Sequence, residues 1–414
     1  MHVKTTWLAL PVAVLSILAA AAIPAAADPA EQKPKVPVAL AENGRGIPDV
    51  YIVGVKEGAD LDAVLTRAKI NETRVTATAL RSFSAKLSKH QIEALQDDSS
   101  VELILQDQHT LSPSSVDGYT PTDQPGPGWA LDRINQAALP GDGNYTTSAT
   151  GAGVTAYVID GGIDVTHPDF EGRASEGMST ITSPMTATCA NYQHGTGVAG
   201  MLGGAKFGVA KKVTLVSLRI SPCDSGASFT DILSATNWLL GHGQKPAVVN
   251  LSSNANATGT FEDQIAAGWM RGVFNNLAES GFFITNSTSN RQMDACLGWP
   301  ADAAGVMAVA HTDADDHAAD TSDWGGCIQL YAPGHLVPMP KIGGGFAIGK
   351  GSSFAAPMVA GVGALYKATY GDASYTVIAD WIKDKSTKNV VLPKLNGNVG
   401  AQPTVNRLLN TGGL

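Results

Sequence analysis

Three residues of the types used in nucleophilic catalysis stand at turns or at changes of predicted element. Ser353 follows the small residues Gly351 and Ser352 and opens an apolar run typical of a buried helix. The unpaired N–H groups and the dipole of a helix start favour a developing negative charge. Asp160 ends a nearly continuous β-rich run, and His194 opens a glycine-rich run. Asp, His and Ser are the side chains of a nucleophilic triad.

In such a triad each residue has a distinct role. Ser353 would attack a carbonyl carbon, His194 would take the serine's proton, and Asp160 would fix the imidazole tautomer. Asn290 follows the strand predicted at Phe282–Thr285 and is the candidate donor to the oxyanion. Taken singly, these residues have plainer interpretations as helix caps, a structural histidine and a turn asparagine.

Pro357 is a second indication that the turn at Ser353 is functional. Proline has no N–H, so in a helix the carbonyl four residues earlier, that of Ser353, loses its usual partner. A break in helix bonding at this one serine indicates a functional turn, and a plain serine cap is the competing interpretation.

Strands and helices alternate from Trp129 onward, and these elements must position the candidate residues. After the strand Val154–Ile159, helices are predicted to follow His194 and Ser353. Alternation predicts an α/β domain around a mainly parallel sheet, whose active site gathers at the carboxyl ends of the strands. The other predicted strands are Val213–Ile220, Ala247–Leu251, Phe282–Thr285 and Val306–Ala310, and the other predicted helices are Thr230–Leu240 and Asp263–Ser280.

The chain before this domain divides into four segments. Residues 1–27 have the basic start, apolar middle and small-residue end of a signal peptide, although Trp7–Ala27 is also long enough for a membrane anchor. Residues 28–48 are predicted to be a flexible lead. Residues 49–108 predict two helices on a small antiparallel sheet, with Ser88 capping the second helix. Residues 109–128 form a linker rich in Ser, Pro and Gly, where cleavage is expected. Residues 129–414 are the α/β domain.

The overall composition excludes several classes of partner. The formal net charge is −9, and only 16% of the residues are charged. An acidic balance of this kind argues against a nucleic-acid partner and gives no basic face for an anionic membrane.

Export makes disulfides permissible, and the chain has four cysteines. Spacing alone allows three connectivities. Sequential pairing would close two loops of about thirty residues, each contributing roughly 3 to 4 kcal/mol. Zinc is a poor alternative because no two cysteines are close enough for a ligand knuckle. The cysteines are Cys189, Cys223, Cys296 and Cys327.

The motifs around the candidate residues resemble those of the subtilisin-like serine proteases (subtilases), with the proteinase K and aqualysin branch as the nearest likeness. Asp160–Ile163 resembles the family's Asp-(Thr/Ser)-Gly-Ile block, and His194–Gly200 its His-Gly-Thr-His-Val-Ala-Gly block. Gly351–Pro357 resembles the Gly-Thr-Ser-(Met/Phe)-Ala-x-Pro block. Thr288–Asn290 resembles the block that carries the oxyanion asparagine, and Trp129–Ile134 the start of the mature enzymes.

This resemblance covers nearly the whole chain and has several implications. It implies a seven-stranded, mainly parallel sheet between helical layers, endopeptidase activity on proteins or peptides, and no cofactor in the chemistry. Residues 49–107 resemble the family's inhibitory propeptide, and the cysteines resemble the pairing of 189 with 223 and 296 with 327. The substrate-binding residues it implies are Ser252, Ser253, Asn254, Ala255, Ser287 and Thr288.

Several residues depart from the family pattern. Gly161 replaces Thr or Ser, which suggests a looser turn after Asp160, and Gly197 replaces a second histidine. Ser352 replaces threonine, and Ser289 replaces the glycine before the oxyanion asparagine. Asn254, with Ala255, puts a side chain where the family has glycine, which predicts a narrower, more polar primary pocket.

A structural calcium ion is possible in the family, but the sequence argues against it here. Gln329 stands where a calcium-binding aspartate is usual, and hard cations prefer carboxylate oxygen. A separate acidic cluster has no spacing typical of a calcium loop, so a solvated acidic turn is the expectation. Its members are Asp313, Asp315, Asp316 and Asp320.

The sequence therefore predicts a secreted, extracellular serine endopeptidase that is made as a proenzyme, matures by self-cleavage and acts as a monomer. Its propeptide would be an intramolecular inhibitor. The main alternative is a catalytically impaired homologue that binds peptides or partners, because the changes lie around the substrate cleft. A lipase or esterase is disfavoured, since those enzymes carry Ser, Asp and His in that order on a Gly-x-Ser-x-Gly elbow.

Overall fold

The computed structural model describes residues 34–41, 44–110, 116–117, 126–223, 225–256, 260–394 and 404–414. The predicted signal peptide and membrane-anchor alternative lie outside these residues. No helix within the described ranges is long and apolar enough to cross a membrane.

Strands and helices alternate along much of the described chain. The strands are β1 (Val38–Ala39), β2 (Gly46–Val55), β3 (Val75–Ala77), β4 (Ser82–Lys86), β5 (Val101–Gln108), β6 (Val116–Asp117), β7 (Thr155–Asp160), β8 (Ala174–Ser179), β9 (Thr214–Arg219), β10 (Ala247–Leu251), β11 (Ala255–Asn256), β12 (Phe283–Ser287), β13 (Gly298–Trp299), β14 (Met307–Thr312), β15 (Leu330–Pro333), β16 (Val337–Pro340), β17 (Phe346–Gly349), β18 (Thr387–Lys388) and β19 (Arg407–Leu408). The helices are α1 (Leu61–Arg67), α2 (Lys89–Asp97), α3 (Trp129–Ile134), α4 (Ala190–Gly203), α5 (Phe229–His242), α6 (Phe261–Glu279), α7 (Ser352–Tyr370) and α8 (Tyr375–Lys385).

The large sheet has nine strands in the order β18-β19-β15-β14-β12-β10-β7-β9-β8. All neighbours pair in parallel except β18 and β19. The predicted mainly parallel α/β sheet is therefore confirmed. The count of seven was two short, because the two-residue strands β18 and β19 carry too little pattern to be recognised.

Helices cover both faces of this sheet. Side chains along a strand point alternately to the two faces of the sheet. Tyr157 of β7 lies on one face, where it packs edge-on against Trp238 of α5. Phe283 of β12 lies on the opposite face, where Gly363 of α7 approaches its ring too closely for any side chain at that position. Helices α4 and α7 pack on one another and on the sheet, with α7 crossing strands β10, β12, β14 and β15.

The N-terminal region forms a second sheet in the order β1-β5-β2-β4-β3, with α1 and α2. Ser88 forms a capping box with Gln91 at the start of α2, so the predicted cap is confirmed. Strands β1 and β3 were not predicted. Part of the expected flexible lead is ordered, because β1 pairs with β5 and residues 46–48 begin β2.

This smaller sheet packs against α5 and α6 through a contact that includes buried polar groups. The Oγ atoms of Ser84 and Thr230 lie 2.6 Å apart in a hydrogen bond, and Asp107 Oδ1 accepts the Thr230 N–H at 3.1 Å. Asp107 therefore caps the first turn of α5, where a helix favours negative charge. Its second carboxylate oxygen is buried and has no hydrogen-bond partner among the described residues.

The described residues of the predicted linker form backbone hydrogen bonds with the α/β domain. His109 forms a bridge with Ser228, and the Thr110 N–H donates to the Ala227 carbonyl at 2.7 Å. Strand β6 pairs antiparallel with β17. Most of the linker, including the region of the expected cut, lies outside the described residues.

Two disulfides join Cys189 to Cys223 and Cys296 to Cys327. This is the pairing that the family resemblance implied. The first links the residue before α4 to the loop after β9, and the second joins two loops on the C-terminal side of β12 and β14.

The burial of Asp107 predicts a pH-dependent stability. Burial raises the pKa of Asp107, with nearby Asp231 adding to the shift. A raised folded-state pKa means that the contribution to stability is complete below the unfolded pKa of about 3.9 and is lost as pH rises through the folded value. Asp107→Asn keeps an acceptor for Thr230 and does not titrate.

We therefore expect Asp107→Asn to lose less stability than its parent between pH 4 and pH 7. The measurement is the thermal unfolding midpoint of both chains across that range, in a Ser353→Ala background expected to stay uncut. Parallel pH profiles for the two chains would contradict the assignment.

Candidate active site

The Asp160 carboxylate and the His194 imidazole form a buried hydrogen-bonded pair. His194 Nδ1 lies 2.9 Å from Asp160 Oδ1 and 3.0 Å from Oδ2, and both side chains are at most 5% exposed. The Gly161 N–H also donates to Oδ1, at 2.7 Å. With a carboxylate at Nδ1, the proton of a neutral imidazole resides there, which leaves Nε2 as an acceptor.

The sequence had suggested that His194 stands at the start of its helix, and this prediction is wrong. Helix α4 begins at Ala190, so His194 lies in its second turn. Its Nε2 is buried and makes no hydrogen bond to any described residue. The imidazole packs at 5.5 Å, centroid to centroid, against the ring of Phe354. That ring belongs to the residue after Ser353.

The turn after Asp160 is tight, and the expectation of a looser turn is wrong. A Cβ on Gly161 would overlap the backbone carbonyl of Asn191 in the first turn of α4. A Cβ on Gly195 would overlap the Gly162 carbonyl and lie 3.0 Å from Asp160 Oδ1. Glycine is therefore required for the backbone approach that lets His194 reach Asp160.

Ser353 is the second residue of α7 and is 4% exposed. The carbonyl that Pro357 deprives of a helical partner is indeed that of Ser353, and Ser252 Oγ supplies the missing donor at 2.9 Å. No hydrogen bond joins Ser353 Oγ to His194 Nε2 in the described chain. The Asp160–His194 pair thus lies beside the serine helix, but His194 Nε2 and Ser353 Oγ are not hydrogen-bonded to each other.

Asn290 lies beside the start of the same helix. Its Oδ1 accepts the Ser352 N–H at 2.8 Å and the Ser352 Oγ at 3.0 Å. Ser352 Oγ also contacts the Thr288 carbonyl at 2.8 Å. These bonds fix the amide of Asn290, so its oxygen faces the helix and its nitrogen is the end that can donate to an oxyanion.

Asp323 was missed by the sequence reasoning, although it holds the loop that carries Asn290. It is 1% exposed, and its Oδ2 accepts the N–H and the Oγ of Ser289, both at 2.6 Å. Its Oδ1 accepts the N–H groups of Arg291 and Met293 at 3.1 and 3.2 Å. Burial raises the pKa of this carboxyl group. No local signal identifies it, because its partners lie some thirty residues away in sequence.

The implied substrate-binding residues lie on two neighbouring segments. Ser253 Oγ donates to Thr110 Oγ1 at 3.1 Å, so this residue already contacts the N-terminal region. Asn254 Nδ2 donates to the Thr288 carbonyl at 2.7 Å and reaches Ser287 Oγ at 3.3 Å. Ala255 pairs with Trp299 in the short β11–β13 ladder.

The glycine at position 197 is explained by its neighbour. A Cβ there would overlap the sulfur of Met339 and approach the Phe354 ring to 3.1 Å. Met339 therefore occupies the space that a histidine at 197 would need.

The residues considered for calcium make other bonds. Gln329 Nε2 donates to the Val306 carbonyl at 2.9 Å. Asp316 is buried and pairs with Arg133 through two bonds of 2.6 and 2.9 Å, so the expectation of a wholly solvated acidic turn is wrong for this residue. Asp313 accepts the backbone N–H groups of Asp315 and His317. Across the described ranges no three His, Cys, Asp or Glu side chains form a group able to hold a metal ion.

A parallel α/β sheet with an Asp–His pair and a serine-bearing helix at one edge is the arrangement of a serine hydrolase. Residues 151–402 match the family model described as "Subtilase family". The chain is 34% identical over 390 residues to "Extracellular serine proteinase" of Thermus sp. (strain Rt41A), covering 88% of this chain and 91% of the relative. It is 31% identical to "Alkaline serine protease ver112" of Corniculantispora psalliotae, covering 93% and 97%.

A solved structure, "Crystal structure of a cold adapted subtilisin-like serine proteinase", aligns with a TM-score of 0.59 and 30% identity. The alignment covers 68% of this chain and 97% of that one. The chain therefore belongs to the subtilase family and is a subtilisin-like serine proteinase.

The close approach at Gly161 predicts that restoring the family residue is harmful. We expect Gly161→Ser to lower the free energy of unfolding by about 1 to 3 kcal/mol, because the new Cβ must displace the Asn191 backbone. Urea unfolding measures this. The matched control is Gly241→Ala in α5, where a Cβ has no contact within 4 Å and helix propensity predicts a gain of up to about 1 kcal/mol. Equal effects of the two changes would contradict the account.

Proposed function

We propose that this protein is a secreted serine endopeptidase that hydrolyses peptide bonds through Asp160, His194 and Ser353. The observation that carries the proposal is the Asp160–His194 hydrogen bond, formed beside helix α7, whose second residue is Ser353. In such pairs the carboxylate sets the tautomer, so that Nε2 can act as a base.

The chemistry has two halves. In the first, Ser353 Oγ attacks the substrate carbonyl carbon, its proton passes to His194 Nε2, and the same proton then leaves with the amine product. In the second, water is deprotonated by His194 and attacks the acyl-enzyme, which releases the acid and regenerates Ser353. In both tetrahedral intermediates Asn290 Nδ2 donates to the oxyanion, with the Ser353 N–H in the first turn of α7 as a further donor.

The chain's own linker supports autoprocessing. On one side, His109 and Thr110 run along residues 226–228 and contact Ser253. On the other side, β6 pairs with β17, whose last residue, Gly349, comes shortly before Ser353. Residues 109–110 and residues 116–117 each pair with backbone of the following domain, as a peptide does when it is bound as an added strand. We therefore assign the self-cleavage to a bond between Thr110 and Val116.

The N-terminal region would then remain as an inhibitor after the cut. Its sheet packs on α5 and α6, and Ser84 and Asp107 hold Thr230. Secretion is supported by the basic, apolar and small-residue pattern of residues 1–27 and by the name of the extracellular relative.

The test is the intact mass of the secreted protein, wild type beside Ser353→Ala. We expect the wild type to lose the chain up to a point between Thr110 and Val116, and the variant to retain it. Self-processing needs the same nucleophile as substrate cleavage, so retention by both chains would contradict the proposal. N-terminal sequencing locates the cut, and a wild-type terminus outside this range would contradict its assignment.

If both chains lose the segment, a host protease has made the cut. Labelling with a serine-directed fluorophosphonate then decides, because only a working nucleophile reacts.

Asp323 gives a second prediction for the same chemistry. Asp323→Ala removes the acceptor of four hydrogen bonds to the Asn290 loop. We expect kcat on a peptide substrate to fall about 10- to 100-fold with a smaller change in KM, because the oxyanion donor is needed mainly in the transition state. A comparable loss in affinity for a peptide aldehyde, which mimics that state, should accompany it. A rise in KM alone would contradict the positioning role.

The second candidate function is a peptide-binding homologue with impaired catalysis. The specific observation in its favour is that Asn254 bridges the two segments beside Ser353. Its signature would be a protein that binds peptides but neither cuts its linker nor reacts with the fluorophosphonate.

A further inference from the structure

The backbone ladder between two neighbouring strands ends near Ser353. Strands β10 and β12 pair in parallel as far as Leu251 and Asn286. Strand β10 ends there, whereas β12 continues against β14 with Ser287 opposite Val309. In parallel sheets, ligands bind in crevices outside the carboxyl ends of strands. The chain after Leu251 and the chain after Asn286 are therefore the two walls of such a crevice.

Both walls contact the serine helix directly. On one wall Ser252 Oγ donates to the carbonyl of Ser353 at 2.9 Å. On the other wall the Thr288 carbonyl accepts from Ser352 Oγ at 2.8 Å. In the proposed substrate complex, the residue whose carbonyl carbon is attacked by Ser353 would place its side chain toward the space between these walls, the substrate gap.

Asn254 closes this gap. Its Nδ2 crosses from the first wall to the Thr288 carbonyl at 2.7 Å and to Ser287 Oγ at 3.3 Å on the second. The residue is 9% exposed, and Ser287 and Thr288 are fully buried or nearly so. Displacing this amide is costly, because the buried Ser287 Oγ would lose its donor and the Thr288 carbonyl would keep only the bond from Ser352 Oγ.

The walls are also tied together by a buried polar network below Asn254. Thr285 Oγ1 donates to Asn250 Oδ1 at 3.0 Å. Asn286 Nδ2 donates to the carbonyls of Leu251 and Ser253 at 2.8 and 3.0 Å. Cross-links of this kind keep the walls from spreading to admit a large side chain. The gap is therefore both bridged and fixed in width.

We propose that Asn254 restricts the enzyme to substrates with a small side chain, such as Gly, Ala or Ser, on the residue that precedes the scissile bond. The inference rests on the proposed peptidase function and specifies its substrate class. A large aromatic or aliphatic side chain at that position has to displace the Asn254 amide from Thr288. A methyl or hydroxymethyl group does not reach it.

The test compares two peptide substrates that differ only in the residue before the scissile bond, Ala in one and Phe in the other. Wild-type kcat/KM should favour the Ala peptide by about 10-fold or more, since displacing the amide unpairs buried groups. Asn254→Gly removes the bridge and should raise the ratio of kcat/KM for the Phe peptide to kcat/KM for the Ala peptide by about 10-fold or more. Asn254→Gln, which keeps an amide in the gap, is the matched control and should retain the preference for Ala.

The labelling rate with the serine-directed fluorophosphonate is measured for each chain, so that a failed site is distinguished from a changed specificity. A wild type that cleaves the Phe peptide as well as the Ala peptide would overturn the inference while the peptidase function stands. The same holds if Asn254→Gly labels normally and keeps the wild-type ratio. If the wild type neither labels nor cleaves either peptide, the peptidase function itself fails and the inference with it.

Discussion

The site depends on the burial of one carboxylate. Asp160 is 5% exposed, and a buried charge is tolerated only when hydrogen bonds satisfy it. The donors are the Gly161 N–H and His194 Nδ1, and the second reaches Asp160 only because α4 lies in backbone contact with the turn after β7. The glycines at 161 and 195 are the consequence of that approach.

The serine helix is held by polar groups from the strands it crosses. Pro357 frees the carbonyl of Ser353, and Ser252 at the end of β10 binds it. Ser352 bonds to Thr288 and Asn290 at the end of β12, and Asp323 holds the loop between them and the second disulfide. The carboxyl edge of the sheet thus positions Ser353, His194 and Asn290, the proposed nucleophile, base and oxyanion donor, through separate contacts. Ser252 and Thr288, on the two walls of the proposed substrate gap, also bond the first two residues of α7.

The sequence was sufficient for the fold class, and its local motifs, which occur in a fixed order, predict the residues of the proposed triad. It failed where the deciding contact is distant along the chain. Gly161 could be judged only with Asn191 in place, and Asp323 only with the Asn290 loop against it. Strands as short as β1 and β19 are too short to show an alternating hydrophobic pattern in the sequence. They form by pairing with the longer strands β5 and β15. The boundary of α4 was misplaced because its first turn, Ala190–Gln193, is polar and carries no helical repeat.

The measurement that tests the account most directly is the site of covalent labelling by a serine-directed fluorophosphonate in the mature protein. Digestion and mass mapping should place the adduct on Ser353 alone, and His194→Ala should abolish or greatly slow its formation, because the imidazole accepts the serine proton. An unlabelled Ser353, or labelling at the same rate without His194, would contradict the central claim that these residues form a working nucleophile and base.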